Sequence, residues 1–150
     1  MKKIVLLLLL TAFSFTANAQ VKWMTMQEAL TAQKKNNKPI FIDAYTVWCG
    51  PCKMLDKNTF SDPDVIKVLN EKYNPVKFNA EGNETVVFNG RTYTNPKYME
   101  ARKNSRNGLH DFARAIGVNA YPTMKVIDAS GKTTKNIVGY RNAQQLLAEL

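Results

Sequence analysis

The order of elements in this sequence predicts an α/β protein, a central mixed β-sheet flanked by helices. Three observations carry that reading. Residues 40–46, Ile-Phe-Ile-Asp-Ala-Tyr-Thr, are branched and aromatic with almost no polar alternation, which suits a central strand covered on both faces. A helical pattern separates this run from a second strand, Pro75-Val-Lys-Phe-Asn79, giving a parallel βαβ half. Pro122–Asp128 and Thr134–Val138 then flank the turn Ala129-Ser-Gly-Lys132 as an antiparallel hairpin, followed by a last helix to Leu150 with Asn142 at its cap.

Taken in chain order, the N-terminal stretch is a leader. Lys2-Lys3 precede the apolar run Ile4–Leu10 and a small-residue stretch ending Ala17-Asn-Ala19, the three parts of a cleaved secretory signal. Residues 1–19 are therefore expected to be removed, leaving one domain over 20–150, or 131 residues. The apolar run is too short to span a bilayer permanently, and no cysteine follows the cleavage point to take a lipid. Export is expected, with the periplasm as the destination. Val21-Lys-Trp23 reads as a short edge strand, and Thr25-Met-Gln-Glu28 as a capping box opening a helix through about Asn36. A helix from about Cys49 runs toward Phe60; Ser61-Asp62-Pro63 caps the next, in which Val65, Ile66 and Leu69 repeat at helical spacing.

Residues 80–108 interpose an extra segment between the second strand and the next helix. Within it Val86-Val-Phe88 and Arg91-Thr-Tyr-Thr94 flank Asn89-Gly90, a strong hairpin signal, and Asn95-Pro96 is expected to cap a helix through about Lys103. A small subdomain at the domain edge is expected, either shaping partner choice or decorating the surface. From Leu109 a helix resumes and stops at Gly117.

Composition narrows the function classes. The chain carries a net charge of +9, and without Lys2 and Lys3 it keeps 19 basic against 12 acidic residues, or +7. The basic residues are scattered and lack the aromatic interleaving that grips single strands, so a solvated basic surface is expected and nucleic-acid binding is not. The only two cysteines stand in Trp48-Cys49-Gly50-Pro51-Cys52-Lys53, directly after the apolar strand. Two thiols at i and i+3 where a strand gives way to a helix share one helical face and can close a small disulfide reversibly. The unsatisfied N–H groups and positive end of that helix favour thiolate at Cys49, the exposed nucleophile at the helix tip, with Cys52 as the buried resolving thiol behind it. Pro51 suits the first helical turn, and Gly50 removes a side chain that would hinder an approaching partner. A structural staple is disfavoured because so short a loop removes only about 2 kcal/mol of unfolded-state entropy or less. No metal centre is expected: zinc wants four ligands, and the chain offers two cysteines and the distant His110, read as a surface or capping residue. Copper(I) held by the two thiolates is the minority alternative.

The segment Phe41-Ile-Asp-Ala-Tyr-Thr-Val-Trp-Cys-Gly-Pro-Cys-Lys53 resembles the active-site segment of the thioredoxin superfamily, and Ala120-Tyr-Pro-Thr123 resembles that family's cis-proline loop. Cys52–Val65 is similar to exported thioredoxin-like proteins, including the C-terminal domain of the transmembrane disulfide reductases. The resemblance implies a thioredoxin fold and an exported thiol-disulfide oxidoreductase without a separate cofactor. It further implies that Asp43 exchanges protons with Cys52, that Lys77 is the lysine neighbouring Asp43, and that Pro122 follows a cis bond and lies against the disulfide. Trp48, Tyr121 and Gly139-Tyr140 are then expected to line an apolar shelf for the substrate, with plain core packing as the alternative for any single aromatic. A carboxylate that merely faces solvent at a strand end is the alternative for Asp43. The Gly50-Pro51 dipeptide resembles the reducing members, so reduction of disulfides in partner proteins is expected, by a monomer recharged by a redox partner. A disulfide isomerase or oxidase is the alternative activity, and a non-catalytic module binding copper or a partner the alternative class.

Overall fold

The computed structural model describes residues 19–150, so the predicted leader lies, but for Ala19, outside the described residues. Its centre is a four-stranded sheet built from β1 (Ile40–Tyr45), β2 (Asn74–Asn79), β5 (Thr123–Ile127) and β6 (Thr133–Val138), in the order β2-β1-β5-β6. β1 runs parallel to β2 and antiparallel to β5, and β5 pairs antiparallel with β6, making the mixed sheet that the sequence predicts. Every residue of β1 except Tyr45 is buried, as an apolar central strand must be.

Strand alternation sorts the core into two faces. Ile40, Ile42 and Ala44 point to a cluster completed by Val76, Phe78 and Met26 of α1 (Met26–Asn36). Phe41 points the other way, into a cluster with Leu55 of α2 (Gly50–Asn58), Val65, Ile66 and Leu69 of α3 (Pro63–Lys72) and Leu146 of α5 (Ala143–Glu149). The same two-residue period places Asp43 on the face of Phe41, beneath α2 rather than α1. That placement decides its chemistry.

Helix starts follow their caps. Thr25 and Glu28 form a reciprocal capping box on α1, Asn142 and Gln145 do the same on α5, and Asp62 accepts the N–H groups of Asp64 and Val65 ahead of Pro63. His110 caps α4 (Asp111–Ala115) through its ring: Nδ1 accepts the Phe112 N–H at 3.0 Å, which leaves the proton on Nε2 to donate to the Glu84 carbonyl at 2.6 Å. It is fully buried, so the capping half of its expected role stands and the surface half does not. Val21–Trp23 forms no strand; a single parallel bridge from Met24 to Val76 takes its place.

The insertion differs most from expectation. β3 (Val86–Phe88) and β4 (Arg91–Tyr93) pair around Asn89-Gly90, whose φ angles of 51° and 72° are those an Asn-Gly hairpin turn demands. The hairpin is no decoration: Val86 and Phe88 are buried in the α1-side cluster, and the Phe112 ring meets Phe88 and Tyr93 edge-on at 5.5 and 5.6 Å. The helix expected from Pro96 to Lys103 is absent, replaced by turns and one 3₁₀ turn at Glu100–Arg102. Side chains take over the backbone groups. Asn95 Nδ2 donates to the carbonyls of Gly82 and Gly108, at 2.8 and 2.7 Å, and Asn107 engages both the N–H and the carbonyl of Met99. Asn107 thereby takes the Met99 N–H that a helix starting at Pro96 would turn back on the Asn95 carbonyl.

Gly108 closes that base against Lys97. A Cβ at this position would meet Lys97 Cβ, O and C at 2.5, 2.6 and 2.7 Å, and two of those atoms are backbone. Gly108→Ala is expected to destabilise the domain by about 1–3 kcal/mol in urea denaturation; an unchanged midpoint would show that the excursion does not need this contact.

Candidate active site

The junction between β1 and α2 builds the site. The strand ends at Tyr45, the Cys49 N–H donates to the Thr46 carbonyl at 3.2 Å, and Cys49 itself is the N-cap of α2, with Pro51 in the first turn. Its side chain turns back over the helix start: Sγ accepts the Cys52 N–H at 3.1 Å and is disulfide-bonded to Cys52, with the two Cα atoms 5.3 Å apart. The cap atom of the helix is thus the Cys49 sulfur, and it uses one of the N–H donors that a helix start leaves unsatisfied. Folded inward in this way, Cys49 is only 3% exposed, scarcely more than Cys52 at 1%. The expectation of an exposed Cys49 sulfur therefore fails for the disulfide form. Gly50 and Pro51 are exposed beside it, and a Cβ built on Gly50 would meet nothing within 4 Å, so internal packing does not demand glycine there.

Asp43 is fully buried, and the solvent-facing alternative is excluded. Register sets it opposite Lys77, whose Nζ donates to Asp43 Oδ2 at 2.6 Å and also pairs with Asp56 of α2. Asp56 follows Cys52 by one helical turn on the same face, so Lys77 ties the buried carboxylate to the redox helix. The rings of Trp23, Tyr45 and Phe60 lie 5.2, 5.0 and 5.3 Å from the ammonium. Asp43 Oδ1, by contrast, has no hydrogen-bond partner. Burial raises the Asp43 carboxyl to about 6, even though the Lys77 charge and hydrogen bond pull it down. Burial lowers Lys77, but the Asp43 charge and the hydrogen bonds to both carboxylates outweigh it and hold the ammonium above its usual range. A proton on the orphaned Oδ1 leaves the Lys77 contact intact.

Trp48, the residue before Cys49, meets Tyr121 edge to face at 5.8 Å. The Tyr121–Pro122 peptide is cis, Pro122 is buried, and the Gly139 N–H donates to the Pro122 carbonyl at 2.8 Å from a φ of 87° that favours glycine. The Tyr121 backbone N–H and carbonyl carry no hydrogen bond among the described residues. Tyr140 turns away from this shelf and packs against the cluster under α3 and α5. Among the described residues no three His, Cys, Asp or Glu side chains gather around a common point, and both His110 nitrogens are engaged elsewhere.

Three contributors escaped the sequence reading. Asp56 was legible only as the residue four after Cys52. Glu81 Oε2 accepts the Trp48 Nε1–H at 2.8 Å, and the Arg106 guanidinium lies 4.0 Å from the Trp48 ring centre; neither pairing has a local sequence signal.

With this geometry described, comparison with known proteins adds kinship. The family model of a thioredoxin-like domain matches residues 26–150. The thiol:disulfide interchange protein DsbD of Citrobacter koseri is 29% identical over 129 residues, 83% of this chain but 18% of that protein. The chain thus spans less than a fifth of that relative's length. A solution structure of a proposed disulphide-isomerase from Bacteroides thetaiotaomicron is 29% identical, with a TM-score of 0.60, covering 88% of this chain and 92% of the other. The oxidised C-terminal domain of Neisseria meningitidis DsbD aligns with a TM-score of 0.55 over 81% of this chain and 86% of that one; at 19% identity this likeness is one of fold.

The Asp43 proton has a consequence for stability. Because the folded-state value lies above the unfolded value of 3.8, the native state binds the proton more tightly; this contribution is fully present below the unfolded value and is lost as pH rises through about 6. The difference between 3.8 and about 6 corresponds to roughly 3 kcal/mol. Urea denaturation of wild type and Asp43→Asn between about pH 4 and pH 8 is expected to show wild type losing that much relative to the variant. A difference independent of pH would contradict the assignment.

Proposed function

The chain belongs to the thioredoxin-like domain family, and from that premise we propose that it is an exported thiol-disulfide oxidoreductase that reduces disulfides in partner proteins through Cys49 and Cys52. The single observation that carries this reading is the Cys49–Cys52 bond at the first turn of α2, with a buried carboxyl raised to about 6 on the sheet face below. In the reduced form the Cys49 thiolate attacks one sulfur of a partner disulfide. The partner's S–S bond breaks, a mixed disulfide forms, and the leaving sulfur departs as thiolate and takes up a proton. Cys52, having passed its proton toward Asp43, then attacks Cys49 Sγ. The intramolecular disulfide re-forms, the second partner thiol is released, and two electrons have moved from this protein to the partner. A dithiol of a redox partner protein restores Cys49 and Cys52.

Each neighbour supports a step. The Cys52 N–H and the open end of α2 stabilise negative charge on Cys49. Gly50 leaves the approach clear, and Trp48, Pro51 and Tyr121 offer an apolar shelf. The unpaired Tyr121 backbone groups beside Pro122 can accept an incoming extended segment as an added strand. Lys77, donating to Asp43 Oδ2 and paired with Asp56, fixes the carboxyl in place. Residues 1–19 carry the export part of the proposal, to the periplasm.

A second reading, isomerase, draws on the relative from Bacteroides thetaiotaomicron. The equilibrium potential against glutathione separates the two: a value near −270 mV fits a reductase, and one near −180 mV fits an isomerase, on the usual scale for these families. In an insulin-reduction assay Cys49→Ser is expected to be inactive, while Cys52→Ser makes the first attack and accumulates a mixed disulfide that dithiothreitol releases. Turnover by Cys49→Ser near the wild-type rate would refute the mechanism.

A further inference from the structure

The inserted excursion reaches the active site through one side chain. Arg106 is exposed, yet its guanidinium lies 4.0 Å from the centre of the Trp48 ring, and Trp48 is the residue next to Cys49. The indole beneath it is held on two sides, by Tyr121 edge-on at 5.8 Å and by Glu81 Oε2 on its N–H at 2.8 Å. The same Glu81 oxygen accepts the Asn107 N–H at 2.9 Å, so the backbone next to Arg106 is anchored to the carboxylate that positions the ring. The cation is thereby placed over the residue that precedes Cys49, next to a backbone anchored at Asn107.

The chemistry of what remains unpaired identifies a ligand. A guanidinium over an indole spends its flat face on the ring and keeps its N–H edge for other partners, in the fork that matches a carboxylate. Among the described residues the Arg106 side chain has neither an ion pair nor a hydrogen bond. The excursion also exposes Lys97, Arg102 and Lys103; of its carboxylates, Glu100 is paired with Lys103 at 3.0 Å, Glu81 is taken up by the Trp48 and Asn107 N–H groups, and Glu84 is half-buried, while Lys53 and Lys57 are exposed on α2. Resting on the oxidoreductase reading above, we propose that Arg106 is the specificity-determining residue of this site, selecting partner proteins that carry a carboxylate beside the disulfide to be exchanged. The insertion is then the device by which a common redox site acquires a preference of its own. Charge at the rim acts on encounter and register, so the preference weakens as salt is added.

The test uses three peptides with the same internal disulfide, flanked by Glu, Gln or Lys, and measures their single-turnover reduction by the reduced protein at low ionic strength. The Glu peptide is expected to react about fivefold faster than the Gln peptide, as a partly exposed ion pair supports. The ratio should collapse toward one in Arg106→Gln and invert in favour of the Lys peptide in Arg106→Glu. Equal wild-type rates for Glu and Gln, or a ratio unchanged in Arg106→Gln, would overturn the proposal. A binding series keeps it separate from the redox reading: the same peptides with serine for cysteine are titrated against Trp48 emission in a Trp23→Phe background. A Glu preference there with no peptide reduced by wild type would sustain Arg106 and refute the oxidoreductase; absence of that preference refutes Arg106 whatever the turnover.

Discussion

A strand buried on both faces that must hand over to a helix within a few residues is the constraint from which the rest follows. β1 is fixed between β2 and β5, so its end cannot move, and the chain leaves it through a turn closed by the Cys49 N–H on the Thr46 carbonyl. That turn delivers Cys49 to the N-cap position of α2, where a side-chain acceptor is wanted and a sulfur supplies it. Cys52, three residues on, is brought under the first turn by helical geometry alone. The redox pair is thus a by-product of how the strand ends, and its position is as rigid as the sheet.

The same strand carries the cost of the site. A carboxyl on the α2 face of β1 is shut away from water, and the parallel register answers it with Lys77 from β2. The answer is incomplete, since one carboxyl oxygen remains without a partner. A fully satisfied pair would lock the charge in place; this one raises the carboxyl to about 6, close enough to neutrality to take up and release a proton, at the expense of stability. Asp56 shares the lysine from the helix that bears the thiols, so a charge change at Asp43 is felt on α2 through a direct contact. Structure and chemistry meet in a group that the fold tolerates rather than prefers.

Much of this was legible locally. The capping boxes at Thr25 and Asn142, the Asp62-Pro63 start, the Asn89-Gly90 turn and the alternation-free β1 are signals carried by a few adjacent residues, and the structure follows them. Failures have one physical character. Asn95-Pro96 looks like a helix start, but the Asn95 amide is drawn to carbonyls 13 residues away in both directions, and no local rule anticipates that. His110 looks polar enough for the surface, yet both its nitrogens find partners inside. Cys49 was read as exposed because its chemistry requires access, whereas in the disulfide its sulfur folds back over the helix. Asp56, Glu81 and Arg106 are ordinary charges in the sequence and become site residues only when three separate segments meet around β1.

The account depends most on the unequal roles of two sulfurs only three residues apart. The most direct test is the site of modification when the fully reduced protein meets limiting iodoacetamide near neutral pH, read by peptide mass spectrometry. The helix-cap geometry predicts label on Cys49 with Cys52 protected until the protein unfolds; label appearing first on Cys52, or equally on both, would contradict it.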